Sequence, residues 1–285
     1  MKSHIEQGHS SHTNNSNGDN CFQLPTRTVK PRITHSRRTD QRGRIPALED
    51  SPGNVAFNTK NSEILLKLSP YLENITFAGH DSIYQPGEKI DYVYFPQSSI
   101  FSEYHILESG ATVEIAMTGS EGVIGLASIF DNNPVTNWTQ ISIAGNALRL
   151  KSQLLREEAG SNRELQQLLY GYIGSYIKQI SQRSVCNSCH SLENRMCSWL
   201  LMMQKRFHNP KLPLTQEQMA RILGANRPSV TCIAHNLRVA GIIDYRRGSL
   251  IILNRTELEH RACGCFAEID KNFCKIFWST FNKVT

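Results

Sequence analysis

The 285-residue sequence contains no run of about 18 consecutive apolar residues, so no membrane-spanning helix is expected. Its first residues lack the apolar core of a secretory signal, which points to a cytoplasmic protein without a membrane partner. There is no glycine-rich phosphate loop followed by lysine and no nucleophile elbow, so neither nucleotide hydrolysis nor serine-hydrolase chemistry is indicated, and no enzyme is expected. Cysteine is nearly missing from the first two thirds of the chain. Only Cys21 precedes Cys186, whereas Cys189, Cys197, Cys232, Cys263, Cys265 and Cys274 follow it. In a cytosolic chain these read as thiols or metal ligands rather than a disulfide framework. Positive charge is also missing where a buried anion would need it: no Lys or Arg occurs between Lys89 and Arg149.

What is present is uneven. Residues 59–160 carry 6 basic and 12 acidic side chains, whereas residues 191–285 carry 14 and 7. An acidic middle followed by a basic end suits a protein whose C-terminal part meets a polyanion. Residues 1–58 are rich in Ser, Asn, His, Thr and Arg and poor in large apolar groups; such a tail cannot offset its ordering entropy and is expected to lack a fixed structure. A short helix is expected at Ser62–Leu68. Short strands then follow at Ser82–Tyr84, Asp91–Phe95, Ile100–Leu107, Thr112–Met117, Trp138–Ile143 and Ala147–Leu150, separated by Gly and Pro turns, a pattern of antiparallel sheets over residues 59–160.

From Ser161 the period changes. Ser161 and Glu164 fit a capping box. Leu165, Leu168, Leu169, Tyr172, Ile173, Tyr176, Ile177 and Ile180 then recur at three- and four-residue steps, placing one apolar stripe along a helix over 161–190, with Leu165, Leu169, Tyr172, Tyr176 and Ile180 along its seam. Lying between two domains with few charges around it, that stripe is read as a dimer seam, the other reading being a helix packed only on its own barrel. Ser191 starts a further helix bearing Leu192, Met196, Trp199, Leu200 and Met203.

The motif with the clearest chemistry begins at Leu214. Thr215 caps a short helix with Met219, Ala220 and Leu223 on its apolar face; Gly224-Ala225-Asn226 turns the chain; Asn226 caps a second helix that accepts Pro228 in its first turn. Val230, Ile233, Ala234 and Leu237 form the inner face of that helix, leaving Arg227, Pro228, Thr231, Cys232 and His235 outside. A hairpin follows, Ile242–Tyr245 and Leu250–Leu253, with Arg246-Arg247-Gly248 at its tip. Helix, glycine turn, helix and basic hairpin form a winged helix-turn-helix within residues 191–285, whose second helix enters the major groove of double-stranded DNA. Arg227, Thr231, Cys232 and His235 are expected to face base edges, and Ser229, Arg246 and Arg247 to face phosphate.

On these pieces, together with Tyr84-Gln85-Pro86-Gly87-Glu88 and Ser120-Glu121-Gly122-Val123-Ile124-Gly125, residues 60–265 resemble the Crp/Fnr family of transcription regulators. The resemblance implies an α+β fold: an N-terminal antiparallel β-roll of the cyclic-nucleotide-binding type, a long dimerisation helix and a C-terminal winged helix-turn-helix. It also implies a homodimer on a two-fold DNA operator, with RNA polymerase as a partner. Three departures stand out. Cyclic-nucleotide binders of this fold hold the phosphate with a Gly-Glu pair and a downstream Arg; here Leu126 follows Gly125 and the cation is missing, so the usual response to cyclic AMP is not expected. The oxygen sensors' cluster needs several N-terminal cysteines, which are missing. The Glu and Arg with which well-known members read a guanine-containing half-site align with Pro228 and Cys232, so a different operator is expected.

Cys186-Asn187-Ser188-Cys189-His190 has the spacing of a covalent haem site, and an alternative reading is a haem- or metal-binding redox sensor using Cys186, Cys189 and His190. Cys263-Gly264-Cys265 is a further candidate to join them, structural thiols being the favoured reading. No cofactor or metal is assigned, and the small-molecule effector is not identified; the β-roll interior, with His105 as a candidate lining residue, is the first place to look.

Overall fold

The computed structural model describes residues 32–33 and 67–271, with 109, 131–132, 208 and 210 left out. Two four-stranded antiparallel sheets form the first unit. One runs β1 (Arg32–Ile33), β2 (Glu73–Phe77), β8 (Gly145–Lys151), β4 (Tyr92–Pro96); the other runs β3 (Ser82–Tyr84), β7 (Trp138–Ile143), β5 (Ile100–Ile106), β6 (Thr112–Thr118). Alternation along the strands turns Ile75, Phe77, Tyr94, Phe101 and Ile141 into the space between the sheets, which the edge-to-face rings of Phe77 and Phe101 fill, with centroids 5.5 Å apart. Strand β2 carries no turn signal strong enough to mark it in the sequence; it is held by pairing with β8 and by Glu73 accepting from Arg149. The helix expected at Ser62–Leu68 falls outside the described residues up to Leu66. So does most of the N-terminal stretch expected to lack structure, although Arg32–Ile33 pairs with Ile75–Thr76.

The sheets close at Lys151 and the chain turns directly into a helix that the sequence reading missed, α1 (Ser152–Ser161), which buries Ser152, Leu155 and Ala159. The long helix α2 (Arg163–Cys189) is therefore capped not by Ser161 but by Asn162, whose Oδ1 accepts from the amides of Glu164 and Leu165. Ser161 ends the previous helix, its hydroxyl donating to the carbonyls of Glu157 and Glu158. After 27 residues α2 stops at His190, whose backbone is extended. Ser191 then caps α3 (Leu192–Arg206). Helix α3 is apolar nearly all round. Met196, Cys197, Trp199, Leu200, Leu201, Met202 and Met203 are all buried, so it forms the axis about which the other helices pack. One apolar cluster runs without a break from Val93 and Leu148 of the sheets through Leu169 of α2 to Trp199, Leu223 and Leu237.

The stripe on α2 is corrected by this packing. Leu165, Leu169 and Tyr172 are buried against the chain's own sheets, and the Tyr172 hydroxyl donates to the carbonyl of Val123. Tyr176 and Ile180 lie at the edge of that face, half-buried. The outward face carries instead Tyr170, Ile177 and Val185, each about half exposed at 52%, 56% and 50%. At 3.6 residues per turn these lie on the side opposite the buried stripe. A helix with two apolar faces shows the same spacing whichever face its own domain covers.

Strand β5 also places Glu103 beside α2 with one carboxylate oxygen shut off from water and without a hydrogen-bond partner. Burial pushes its pKa up to about 7 from an ordinary 4.5. Between those values the folded chain holds a proton that the unfolded chain has lost, so stability falls as pH rises. Between pH 5.5 and 7 the expected loss at this group is about 1.5 kcal/mol. Urea unfolding of Glu103→Gln across that range should show a flatter dependence by that amount; an unchanged slope would place the dependence elsewhere.

Candidate nucleic-acid interface

The helix-turn-helix is built by its caps. Helix α4 (Gln216–Leu223) begins with a reciprocal box: the Gln218 amide donates to Thr215 Oγ1 at 3.1 Å and the Thr215 amide to Gln218 Oε1 at 2.6 Å. It ends at Gly224, whose φ of +59° is the left-handed conformation that glycine takes at least cost. Asn226 caps α5 (Arg227–Val239), accepting from the Ser229 amide at 2.9 Å. Met219, Ala220 and Leu223 of α4 and Val230, Ala234 and Leu237 of α5 are all buried in the shared core. The outer face of α5 is thereby fixed: Arg227, Pro228, Thr231, Cys232 and His235 together line one open hollow on the surface. Ser229 lies half-buried at its side.

Strands β10 (Ile243–Arg246) and β11 (Ser249–Ile252) form the wing, with β9 (Lys211–Leu212) as its third strand. Arg246 pairs with Ser249, leaving a two-residue loop of Arg247 and Gly248 with φ of +46° and +78°. Positive φ at both positions is the tight hairpin turn whose twist matches the strands, and it is unusual for arginine to occupy the first. The turn directs Arg247 away from the body of the domain, exposed. Arg246 is exposed as well and lies 2.9 Å from Asp244, which Arg238 also approaches at 3.4 Å.

Two positioning residues carried no signal of their own in the sequence. Gln216 Oε1 accepts from the Thr231 hydroxyl at 2.8 Å, and the Gln216 amide donates to the Tyr245 hydroxyl at 3.2 Å. One residue at the start of α4 thus ties the outer face of α5 to the wing. Helix α4 in turn rests on β6: a Cβ on Gly224 would stand 3.2 Å from the Val113 side chain. Gln218 reaches His80 across the same contact at 3.0 Å, and burial lowers the pKa of that histidine.

Among the described residues, the β-roll positions that the resemblance links to cyclic-phosphate binders carry other groups. Leu126 is buried where such binders place a carboxylate, and it opens a short helical turn from Gly125. Arg149, the first cation after Lys89, is engaged by Glu73 at 2.6 Å and lies 4.1 Å above the Tyr92 ring. His105, a candidate for that interior, points outward instead.

The cysteines divide. Cys232 is exposed on α5 and Cys189 is exposed at the end of α2. Cys186 and His190 lie with Cys263 and Cys265, so of the three residues in the alternative redox reading the structure gathers two and leaves out Cys189. A hydrogen bond from Cys186 and another from Ser198 hold the Cys263 thiol below the ordinary range, while the Cys186 thiol is raised. Burial raises the pKa of Cys197, further along α3, to about 12.

No helix among the described residues is long and apolar enough to cross a membrane. Residues 194–261 match the family described as a Crp-like helix-turn-helix domain. The global nitrogen regulator of a Nostoc species is 22% identical over 190 residues, 62% of this chain and 83% of that protein. The corresponding regulator of a Synechocystis species is 21% identical, covering 75% and 96%. Among solved structures, FixK2 from Bradyrhizobium japonicum superposes with a TM-score of 0.60 at 18% identity, covering 67% of this chain and 98% of its own. A Crp/Fnr-family transcriptional regulator from Thermus thermophilus gives 0.54 at 19%, covering 67% and 98%. The sequence match over residues 194–261 is to a Crp-like helix-turn-helix domain, and the fold of the described residues is similar to that of Crp/Fnr-family transcriptional regulators.

Proposed function

We propose that the protein is a cytoplasmic, homodimeric regulator that reads a two-fold DNA operator with the outer face of α5 and positions itself through the wing. The observation that carries this reading is the single open face formed by Arg227, Pro228, Thr231, Cys232 and His235 at the basic end of the chain. In this reading Arg227 contacts a guanine, Thr231, Cys232 and His235 complete base recognition, and Ser229, Arg246 and Arg247 meet phosphate. Asp244 and Glu217 then hold Arg246 and Arg227 until DNA replaces them. The dimer forms along the outward face of α2, through Tyr170, Ile173, Ile177 and Val185 with Ile180 at its edge, rather than through the stripe its own sheets cover. Cyclic AMP is not the effector, because the sheet interior is filled by Phe77, Tyr84, Tyr94 and Phe101 and its cation is engaged. RNA polymerase is the partner met at the promoter.

Selection of sequences from a random DNA pool with the full chain tests the reading. A palindromic consensus is the expected result; weak, salt-sensitive binding without sequence preference overturns it.

The wing separates stability from binding. Arginine in the left-handed region at Arg247 costs roughly 1 kcal/mol, and asparagine suits that turn position better. Arg247→Asn should therefore raise Tm by about 1–4 °C while weakening binding to all DNA sequences alike. A calorimetric scan paired with a salt series on operator and random DNA checks both halves, the salt slope falling by about one per chain.

A further inference from the structure

The end of α2 and the link that follows α6 (Arg255–Arg261) come together at four soft donor groups. Cys186 lies in the last turn of α2, and His190 is the extended residue that ends the helix, its amide donating to the Cys186 carbonyl. Cys263 and Cys265 are two apart in the link that leads into the helical turns at 265–271. Their donor atoms all lie within 4.8 Å of one another: Cys186 Sγ is 3.5 Å from Cys263 Sγ, and Cys265 Sγ is 3.5 Å from His190 Nδ1. Around a tetrahedral zinc ion, with zinc–sulfur distances of about 2.3 Å and zinc–nitrogen distances of about 2.0–2.1 Å, neighbouring donors stand about 3.5–3.8 Å apart. The four groups are thus set at close to the edges of such a tetrahedron. The sulfurs are well outside the roughly 2.05 Å of a disulfide.

The surroundings fit thiolate ligands. Ser198 Oγ lies 3.0 Å from Cys263 Sγ, and Gln182 Nε2 donates to Cys265 Sγ at 3.1 Å. Donors of this kind orient ligating sulfurs and offset their charge. Cys186 and Cys265 are buried, which keeps the group from solvent, whereas Cys189, three residues further along α2, is exposed and takes no part.

We propose that Cys186, His190, Cys263 and Cys265 form a binding site for one zinc-class divalent cation, which pins the DNA-binding unit to the end of α2. Binding replaces three thiol protons with the ion, giving three thiolates and one neutral imidazole around a doubly charged centre. The ligands straddle the break between α2 and α3 at His190–Ser191: two precede it, and two lie beyond the wing. The ion therefore fixes the angle at which α5 leaves the long helix, a property the helix-turn-helix alone does not set.

The test uses the full chain purified under reducing conditions. Elemental analysis should find about one zinc ion per chain, and cobalt exchanged into the protein should show the absorption of tetrahedral, thiolate-ligated cobalt. Cys265→Ser and His190→Ala should each lower bound metal to below about a tenth of the wild-type content, with Cys189→Ser unchanged. The cobalt spectrum of the unaltered protein keeps the test decisive should a variant fail to fold. Wild-type protein that takes up neither metal, or that is isolated with a Cys186–Cys263 disulfide, overturns the proposal, as does full metal content in Cys265→Ser.

Discussion

Arg227→Ala is expected to lower affinity for the selected operator by about 30-fold to 10⁴-fold while leaving binding to random DNA nearly unchanged. One bidentate arginine–guanine contact discriminates by about 1–3 kcal/mol. A homodimer on a two-fold operator makes that contact twice, so the loss is about 2–6 kcal/mol per bound dimer. The residue sits where such a contact has to be made: at the first position of α5, exposed, beside a capped N-terminus that presents the helix end to the groove. Its link to Glu217 is long, at 3.9 Å, and exposed, and it costs little to break. Removal of the arginine should also leave the fold intact, since no buried group depends on it. Fluorescence anisotropy with operator and random duplexes at fixed salt, alongside a thermal melt, measures all three. Equal losses on both duplexes would make Arg227 a phosphate contact; no loss on either would move recognition to other residues of the face.

Legibility in the sequence followed the range of the interaction involved. The strand at Trp138–Ile143 lies where alternation places it, and the caps at Thr215 and Asn226 lie where local hydrogen bonding places them. Each of these is decided within a few residues. Helix α1 escaped the sequence reading because the short buried stripe of Ser152, Leu155 and Ala159 is interrupted by the charged run Arg156-Glu157-Glu158. The α2 face was misread because periodicity reports that a face is apolar and not what covers it. That decision belongs to Val123 and the sheets, far away in the chain. The same limit applies to the cysteines. The step from Cys186 to His190 spans the end of one helix, but the meeting of Cys186 with Cys263 across 77 residues is a product of packing around α3.

Glu114 is the extreme of that kind, a lone acid in a strand with no local pattern, and Glu114→Ala is expected to cost about 3–5 kcal/mol. Its carboxylate is buried, accepting from Ser102 Oγ at 2.5 Å and from Trp199 Nε1 at 3.0 Å, with Arg183 at 3.5 Å. Burial raises its pKa, and Arg183, Ser102 and Trp199 oppose the rise. Alanine would leave Arg183, itself 3% exposed, without a counter-charge, and would strand the indole N–H. These partners come from β5, α2 and α3, so the group joins the β-roll to the long helix and to the DNA-binding unit. At about 2–4 °C per kcal/mol for a chain of this size, Tm should fall by about 6–20 °C. The melt should also broaden or split as the units lose their coupling. Replacing Glu114 and Arg183 together by leucine and methionine removes both charges and should recover most of the loss, because a buried ion pair adds little over apolar packing of similar volume. A fall under 2 °C, or a double variant no better than the single, would show that the pair is solvated or dispensable and that the apolar cluster around Trp199 alone holds the units together.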